Sequence, residues 1–300
     1  MRVFTTHPQT KKPLEYGTKA IEINERWDDK FLEIIEKESV DTLYLNMASG
    51  WETENYHFLS KIPKLVNLAI LDVNSEGIEA IMNCLKLESI GLTIPESHNI
   101  DYSVFSNLKH ASLTWKKGYK SIYNATSLEY LFLDRFKERD NHGLNNLKKL
   151  HTLKIGNSTI CDLSFLEDLK NISWLELTNC NKITSINSIS NLDKLERLFI
   201  RGSRKLTDLR PLERLQNLEV LVLDVGQLES LTFLKDLKNL KAFSYHGVKS
   251  KILDGNLTVL TELPNLSMVF LNPKKHYSHK IIKQWNWQNF GVPDSLLERK

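Results

Sequence analysis

Residues able to bind a metal or attack a substrate are sparse in this chain and rarely lie close together in sequence. His276 and His279 stand in "HYSH", a spacing at which two imidazoles can share a metal, but no nearby carboxylates complete a ligand set. None of Cys84, Cys161 and Cys180 has a second cysteine at zinc-site spacing. We interpret the histidine pair as a polar lead into a terminal helix. We predict no metal site, no cofactor and no catalytic residue.

A basic and aromatic stretch near the C-terminus, residues 272–288, suggests a different chemistry. It contains Lys274, Lys275, Lys280, Lys283, Trp285 and Trp287. Basic residues interleaved with aromatic ones can bind single-stranded nucleic acid or another acidic surface. The solvated face of an amphipathic helix explains the same residues, and we favour that explanation, so we do not expect a nucleic-acid partner.

Composition excludes several other classes of protein. The 300 residues are 41% hydrophobic and 26% charged, which is ordinary for a soluble protein, and a net charge of +3 does not by itself indicate nucleic-acid binding. The 12 glycines are scattered and form no phosphate-binding loop. No apolar run suits a signal peptide or a membrane span of roughly 20 residues. With only three cysteines, we expect a reducing compartment, the cytoplasm by default.

The secondary-structure elements that must position any site come from a repeated apolar pattern, and "LHTLKIGNSTICDLSFLEDLKNI" (150–172) is one example of it. Apolar residues at positions 1, 4 and 6 of a template recur eleven times, starting at residues 40, 65, 87, 108, 128, 150, 172, 195, 218, 240 and 266. All 33 template positions hold apolar residues, counting Ala111 and Tyr245, whereas the 41% apolar fraction alone gives about 14. Each unit therefore contains one short strand, and neighbouring units must stack to bury their leucines.

These residues resemble leucine-rich repeats of the class of about 22 residues, found in bacterial internalins and in a regulatory subunit of protein phosphatase 1. The resemblance covers about residues 40–272 and is strongest in 150–240, as in "LTDLRPLERLQNL". It implies an α/β, right-handed solenoid with a parallel concave sheet of about eleven short strands and short helical turns on its convex side. It also implies a module that binds other proteins through the concave face.

One position departs from the family pattern. The family places asparagine at position 9, whereas this chain has Ser158, Cys180 and Ser203 there in repeats six to eight, and Phe136 in repeat five. Cys161, followed by an aspartate, resembles the catalytic cysteine of bacterial leucine-rich-repeat ubiquitin ligases. Those enzymes carry a separate catalytic domain after the repeats, so we interpret Cys161 as a turn residue and do not expect an enzyme.

A solenoid needs a cap at each end. We predict an N-terminal cap at residues 1–39, with a strand at "KAIEIN" and a helix burying Trp27, Phe31, Ile34 and Ile35. The solenoid follows at 40–272. A capping helix and tail follow at 273–300, where Ile281, Ile282, Trp285 and Phe290 share one face and Gly291 ends the helix.

The concave face should carry the site, because positions 3, 5 and 7 point away from the core. Repeats two to four place mostly small residues there. Repeats five to nine place aromatic and charged residues there, the types common in protein-interface hot spots. We predict partner-binding residues Tyr130, Phe132, Asp134, Lys154, Trp174, Glu176, Arg197, Phe199, Arg201, Val222 and Asp224.

An alternative is that these side chains only satisfy one another, through pairs such as Lys154–Glu176 and Arg201–Asp224 or a cation–π contact between Trp174 and Arg197. We favour the binding surface, with Trp174 and Phe199 exposed. The sequence therefore predicts a non-catalytic, monomeric interaction module that serves as an adaptor or as an inhibitory or regulatory subunit.

Overall fold

The computed structural model describes residues 1–5, 15–95, 98–137, 141–247 and 249–279, and one continuous sheet of 13 strands dominates them. Strand order in the sheet equals chain order, with β1 antiparallel to β2 and every later neighbouring pair parallel. The strands are β1 (Arg2–Phe4), β2 (Ala20–Ile23), β3 (Thr42–Asn46), β4 (Asn67–Leu71), β5 (Ser89–Thr93), β6 (His110–Thr114), β7 (Tyr130–Asp134), β8 (Thr152–Gly156), β9 (Trp174–Thr178), β10 (Arg197–Ser203), β11 (Val220–Val225), β12 (Ala242–Tyr245) and β13 (Met268–Leu271).

Eleven of these strands, β3 to β13, are the predicted repeat strands. Each begins two residues after its template start, so Val40 precedes β3 and Leu266 precedes β13 by the same interval. Positions 4 and 6 face the core: Leu43 and Leu45 are buried in the first repeat, and the same two positions are buried in every repeat through the tenth. The repeat and its inward register are therefore confirmed.

Short helical elements cover the other side of the sheet. A return to the next parallel strand in about 22 residues leaves room for only one short element. Most are 3₁₀ helices: Met47–Ser49, His57–Lys61, Ile78–Asn83, Tyr102–Val104, Lys117–Asn124, His142–Asn146, Ser164–Asp168, Asn187–Asn191, Arg210–Arg214 and Thr232–Leu234. Two α-helices, α1 (Lys30–Lys37) and α2 (Thr258–Glu262), complete the described elements.

The residues before the first repeat include a strand and a helix. "KAIEIN" contains β2, which pairs in parallel with β3, while β1 is an additional strand that the sequence did not indicate. Of the four residues predicted to be buried by the helix, Phe31 and Ile35 are buried and Ile34 is partly buried. Trp27 lies before α1, is partly buried, and stacks on Phe58 with ring centroids 3.7 Å apart. The predicted C-terminal helix, with Ile281, Ile282, Trp285, Phe290 and Gly291, lies outside the described residues. The domain limits at residues 39 and 272 stay predictions.

Side chains bonded to backbone carbonyls tie the repeats together at both ends of the strands. At position 9, the hydroxyl of Ser158 donates to the carbonyl of Phe136, and that of Ser203 donates to the carbonyl of Cys180 at 3.3 Å. Serine at position 9 thus links neighbouring repeats. A second ladder precedes the strands: Asn171, Asn217, Asn239 and Asn265 donate to the carbonyls of Lys148, Asp193, Gln216 and Lys238 at 2.7–2.8 Å.

Candidate functional site

The predicted site residues lie in register on neighbouring strands of the face opposite the helical turns. Trp174 of β9 pairs with Arg197 of β10, and Glu176 pairs with Phe199. On the other side of β9, Lys154 of β8 is the register partner of Glu176. Side chains at positions 3 and 5 of neighbouring repeats therefore lie side by side, and this register brings the five side chains together.

Aromatic rings and cations alternate along this face. The Lys154 ammonium lies 4.1 Å from the ring centroid of Trp174 and 5.6 Å from that of Tyr130. On its other side, Trp174 has the Arg197 guanidinium at 5.4 Å and the Phe199 ring at 5.8 Å. Cation–π contacts of this kind contribute about 0.5–2 kcal/mol each, depending on desolvation. Trp174 is therefore held in one orientation by neighbours on both adjacent strands.

Glu176 is the carboxylate at the centre of the cluster. Its Oε1 accepts a hydrogen bond from Nη1 of Arg201 at 3.0 Å, and its Oε2 lies 3.7 Å from Nζ of Lys154. The Lys154–Glu176 pair and the Trp174–Arg197 contact were both expected under the alternative interpretation, in which these side chains only satisfy one another. The side chains satisfy one another in part, which fixes their positions without removing them from the surface.

Burial changes the protonation equilibria around this cluster. Desolvation lowers the pKa of Lys154, an effect that Glu176 opposes, and desolvation also lowers the pKa of Arg201. Burial, with repulsion from Lys154, lowers the pKa of His110 to about 4, and burial with repulsion from Arg201 does the same to His246. Both imidazoles are thus neutral near pH 7. The cations of the site face neutral rings rather than further positive charge.

Two predicted contact residues do not reach the surface. Phe199 is 4% exposed and Val222 is 0% exposed, so the expectation of an exposed Phe199 is wrong. Both belong to a small apolar cluster on this face, separate from the main core, together with Val220 and Ala242. Strands on both sides contribute bulky side chains, and Trp174 packs against the cluster and remains half-buried. Phe199 and Val222 therefore form the floor of the patch.

The remaining predicted residues lie at its margins. Phe132 is half-buried and lies beside Gly156 of the next strand, where the missing side chain leaves room for its ring. Asp134 accepts a hydrogen bond from Nδ2 of Asn157 at 2.7 Å. Asp224 is the register partner of Arg201 at the strand ends and is half-buried.

The N-terminal segment reaches this same face, which the sequence did not indicate. Oγ1 of Thr42 donates to the carbonyl of Tyr16 at 3.4 Å, and the Tyr16 ring contacts the ring of His110 edge-on, with centroids 5.6 Å apart. Asn67 and Ser89, at position 3 of the two repeats between them, are buried. The run of small residues in repeats two to four was the only sequence signal that another segment could approach this face.

Beside this segment lies an open groove of about 410 Å³. Its floor is formed by Ala69, Gly91 and Ser112 at position 5, and one end is closed by Tyr44, whose ring stacks on Phe4 at 5.9 Å. The small side chains of the floor create the hollow. The groove lies on the N-terminal half of the face and extends to Ser112, the register partner of Phe132 at the margin of the aromatic and charged patch.

The other candidate chemical residues do not assemble into a site. His276 is bound through Nε2 to the carbonyl of Ile252 at 2.8 Å, and His279 through Nδ1 to Ser278 at 2.8 Å. No group of three or more His, Cys, Asp or Glu suited to a metal occurs among the described residues. Cys161 is exposed. Lys280, Lys283, Trp285 and Trp287 of the basic stretch fall outside the described residues.

No helix in the described ranges is long and apolar enough to cross a membrane. The sequence matches no protein-family model and no curated protein.

Solved structures share the fold. An internalin, InlF, from Listeria monocytogenes superposes with a TM-score of 0.62 at 22% identity, covering 77% of this chain and 67% of the internalin. A leucine-rich-repeat protein of Leptospira interrogans superposes with a TM-score of 0.58 at 18% identity, covering 80% of this chain and 74% of that protein. At these identities the likeness shows the fold.

Proposed function

We propose that this chain, which has the leucine-rich-repeat fold, is a protein-binding module whose partner contacts the concave patch of repeats five to nine. The concave patch consists of Tyr130, Phe132, Asp134, Lys154, Trp174, Glu176, Arg197, Arg201 and Asp224, above a floor of Phe199 and Val222. Proteins that this chain resembles largely bind other proteins through this face, which supports the proposal.

The observation that carries the proposal is the fixed position of a half-buried tryptophan among charged side chains. Trp174 is held between Lys154 and Arg197, and Glu176 holds Lys154 in turn. Tryptophan, tyrosine and arginine are the residues that dominate interface hot spots. Because these side chains are already ordered in the free protein, they lose little conformational entropy when a partner binds.

The work of the module is binding without catalysis, as an adaptor or as an inhibitory or regulatory subunit acting as a monomer. The cytoplasm is the compartment we propose, since the chain carries few cysteines and all three are free: Cys84, Cys161 and Cys180. Burial raises the pKa of Cys84 to about 12 and that of Cys180 to about 11, so both are unreactive.

The experiment is affinity capture from the source organism with three versions of the protein. Wild type is compared with Trp174→Ala and with Leu253→Ala, which removes an exposed apolar side chain elsewhere. A partner retained by wild type and Leu253→Ala but lost by Trp174→Ala is then purified and titrated. We expect Trp174→Ala to weaken binding by about 2 kcal/mol or more. A partner bound equally by all three proteins would place the interface elsewhere.

A further inference from the structure

A row of cations follows the strands of repeats four to eleven. The row occupies positions 8–11, the four residues after each strand's position 7, and lies along one edge of the sheet. We call it the basic edge: Lys116, Lys117, Arg135, Lys137, Lys182, Arg204, Lys205, Lys249, Lys274 and Lys275. In the sequence, positions 8–11 of these eight repeats hold a single carboxylate, Glu138, beside these ten cations.

These cations are available to a partner. All except Lys116 are exposed, and Lys116 donates to the carbonyl of Pro95 at 2.5 Å. Arg135 lies 3.5 Å from a carboxylate oxygen of Asp134 and still keeps 68% of its side chain exposed. The other eight have no carboxylate within 4.0 Å in the described part of the chain. Within the described residues, no ion pair therefore neutralises their charge.

The charge is segregated rather than general. The whole chain has a formal charge of +3, so the residues outside the ten of the basic edge carry 3 − 10 = −7. At the same positions of repeats one to three, the described residues include no lysine or arginine, and their one carboxylate, Asp72, is buried under hydrogen bonds from Trp51 and Tyr56. A small net charge thus conceals a strongly basic edge, which is why composition alone did not indicate it.

The basic edge is long and linear. Strands about 4.8 Å apart place repeats four and eleven about 34 Å from each other along the sheet. Cations occur in six of these eight repeats, those that follow β6, β7, β9, β10, β12 and β13. Double-stranded DNA carries about one charge per 1.7 Å of axis, so about 34 Å of duplex presents about 20 phosphates. A row of cations of this length matches an extended polyanion.

The lack of apolar surface decides between classes of partner. Trp115 and Phe136, which lie among the cations, are buried, and none of the exposed large apolar side chains in the described ranges occupies positions 8–11 of repeats four to eleven. Protein interfaces need an apolar core, and helices that lie on membranes insert Trp, Phe or Leu. Contacts to phosphates need neither, since release of counterions supplies the binding energy. We infer that the basic edge binds the sugar–phosphate backbone of nucleic acid without reading its sequence.

The test uses fluorescence anisotropy of labelled single-stranded RNA, single-stranded DNA and duplex DNA, each about 30 nucleotides or base pairs long, at about 50 and 150 mM salt. Wild type is compared with Arg204→Gln/Lys205→Gln on the basic edge. Its matched control is Lys149→Gln/Lys170→Gln, two exposed lysines at the opposite ends of the strands. Both double variants lose the same charge, so general attraction is held constant. Thermal melts confirm that all three proteins are folded.

We expect wild type and the control to bind alike, with affinity falling steeply as salt rises. The Arg204→Gln/Lys205→Gln protein should bind at least tenfold more weakly, and its log–log salt slope should be shallower by about two. Trp174→Ala should leave this binding unchanged, which separates the basic edge from the concave patch. Absence of binding at about 50 mM salt, or equal weakening by both double variants, overturns the inference. Stronger binding to phosphatidylserine vesicles or to polyglutamate overturns it as well and assigns the edge to a lipid or a protein.

Discussion

Arg201 and Glu176 form an ion pair across neighbouring strands, with Nη1 of the arginine 3.0 Å from Oε1 of the glutamate. Lys154 lies on the strand on the other side of Glu176, and its Nζ is 3.7 Å from the second carboxylate oxygen. All three side chains are less than a third exposed, so the carboxylate stands between two partly desolvated cations. The arrangement joins β8, β9 and β10 through a single residue.

Glu176→Gln should therefore destabilise the fold. The substitution keeps the shape of the side chain but leaves Lys154 and Arg201 without their shared counter-charge. We expect a loss of about 1–3 kcal/mol, between the values typical of exposed and of buried ion pairs. Urea unfolding measures it, with Glu167→Gln on an exposed turn as the control. A loss below about 0.5 kcal/mol would mean that solvent already screens this cluster.

Lowering the pH should destabilise the protein through His110. Burial, with repulsion from Lys154, lowers its pKa in the folded state from 6.5 to about 4. Between these two pH values the unfolded chain is protonated at His110, whereas the folded protein is not. The contribution of neutral His110 to stability is therefore complete above about pH 6.5 and is lost progressively toward about pH 4. His110→Phe keeps the ring that stacks on Tyr130 and removes the titration.

The measurement is the free energy of unfolding at several pH values. Between about pH 6 and pH 5, His110→Phe should reduce the number of protons taken up on unfolding by up to about one. His151→Phe, at an exposed position, serves as the control. Identical pH profiles for His110→Phe and wild type would show that this imidazole is protonated in the folded protein.

Phe199→Ala should destabilise the fold. The Phe199 ring is 4% exposed and packs with Val220, Val222 and Ala242, so its removal leaves a cavity in that cluster. We expect a loss of about 3 kcal/mol in unfolding free energy. A loss under about 1 kcal/mol would instead show that the neighbouring side chains close over the gap. Binding of a partner should weaken only as far as the folded fraction falls.

Much of the architecture follows from local sequence, whereas the site depends on contacts that are not local. Apolar residues at positions 4 and 6 fix which face of every strand is buried, and all eleven repeat strands begin where the template predicts. The burial of Phe199 depends on side chains from both neighbouring strands, and no spacing rule reports their packing. The contact of the Tyr16 ring with His110 joins residues more than 90 positions apart. Nor does the pattern identify which neighbour holds Arg201, since Glu176 and Asp224 both lie one strand away.

Leu175 and Trp174 are adjacent in β9, and substitutions at these two positions test folding and binding separately. Leu175 points into the core and is completely buried, whereas Trp174 lies on the concave patch. Leu175→Ala should cost about 2–5 kcal/mol by opening a cavity between stacked repeats. Trp174→Ala loses contacts with Lys154, Arg197 and the apolar cluster that contains Phe199 but leaves the main core intact, so we expect a smaller loss of about 1 kcal/mol.

The order of the two effects should reverse for binding: Trp174→Ala should lower the affinity for a purified partner more than Leu175→Ala does. At a temperature where both proteins are folded, Leu175→Ala should bind with nearly wild-type affinity, because it leaves the concave patch in place. Trp174→Ala should bind about 30-fold more weakly or worse, the equivalent of about 2 kcal/mol. Thermal melting and calorimetric titration of the same preparations supply both quantities. If Trp174→Ala lowers stability as much as Leu175→Ala does and leaves affinity intact, the ring serves the fold and the patch is not the interface.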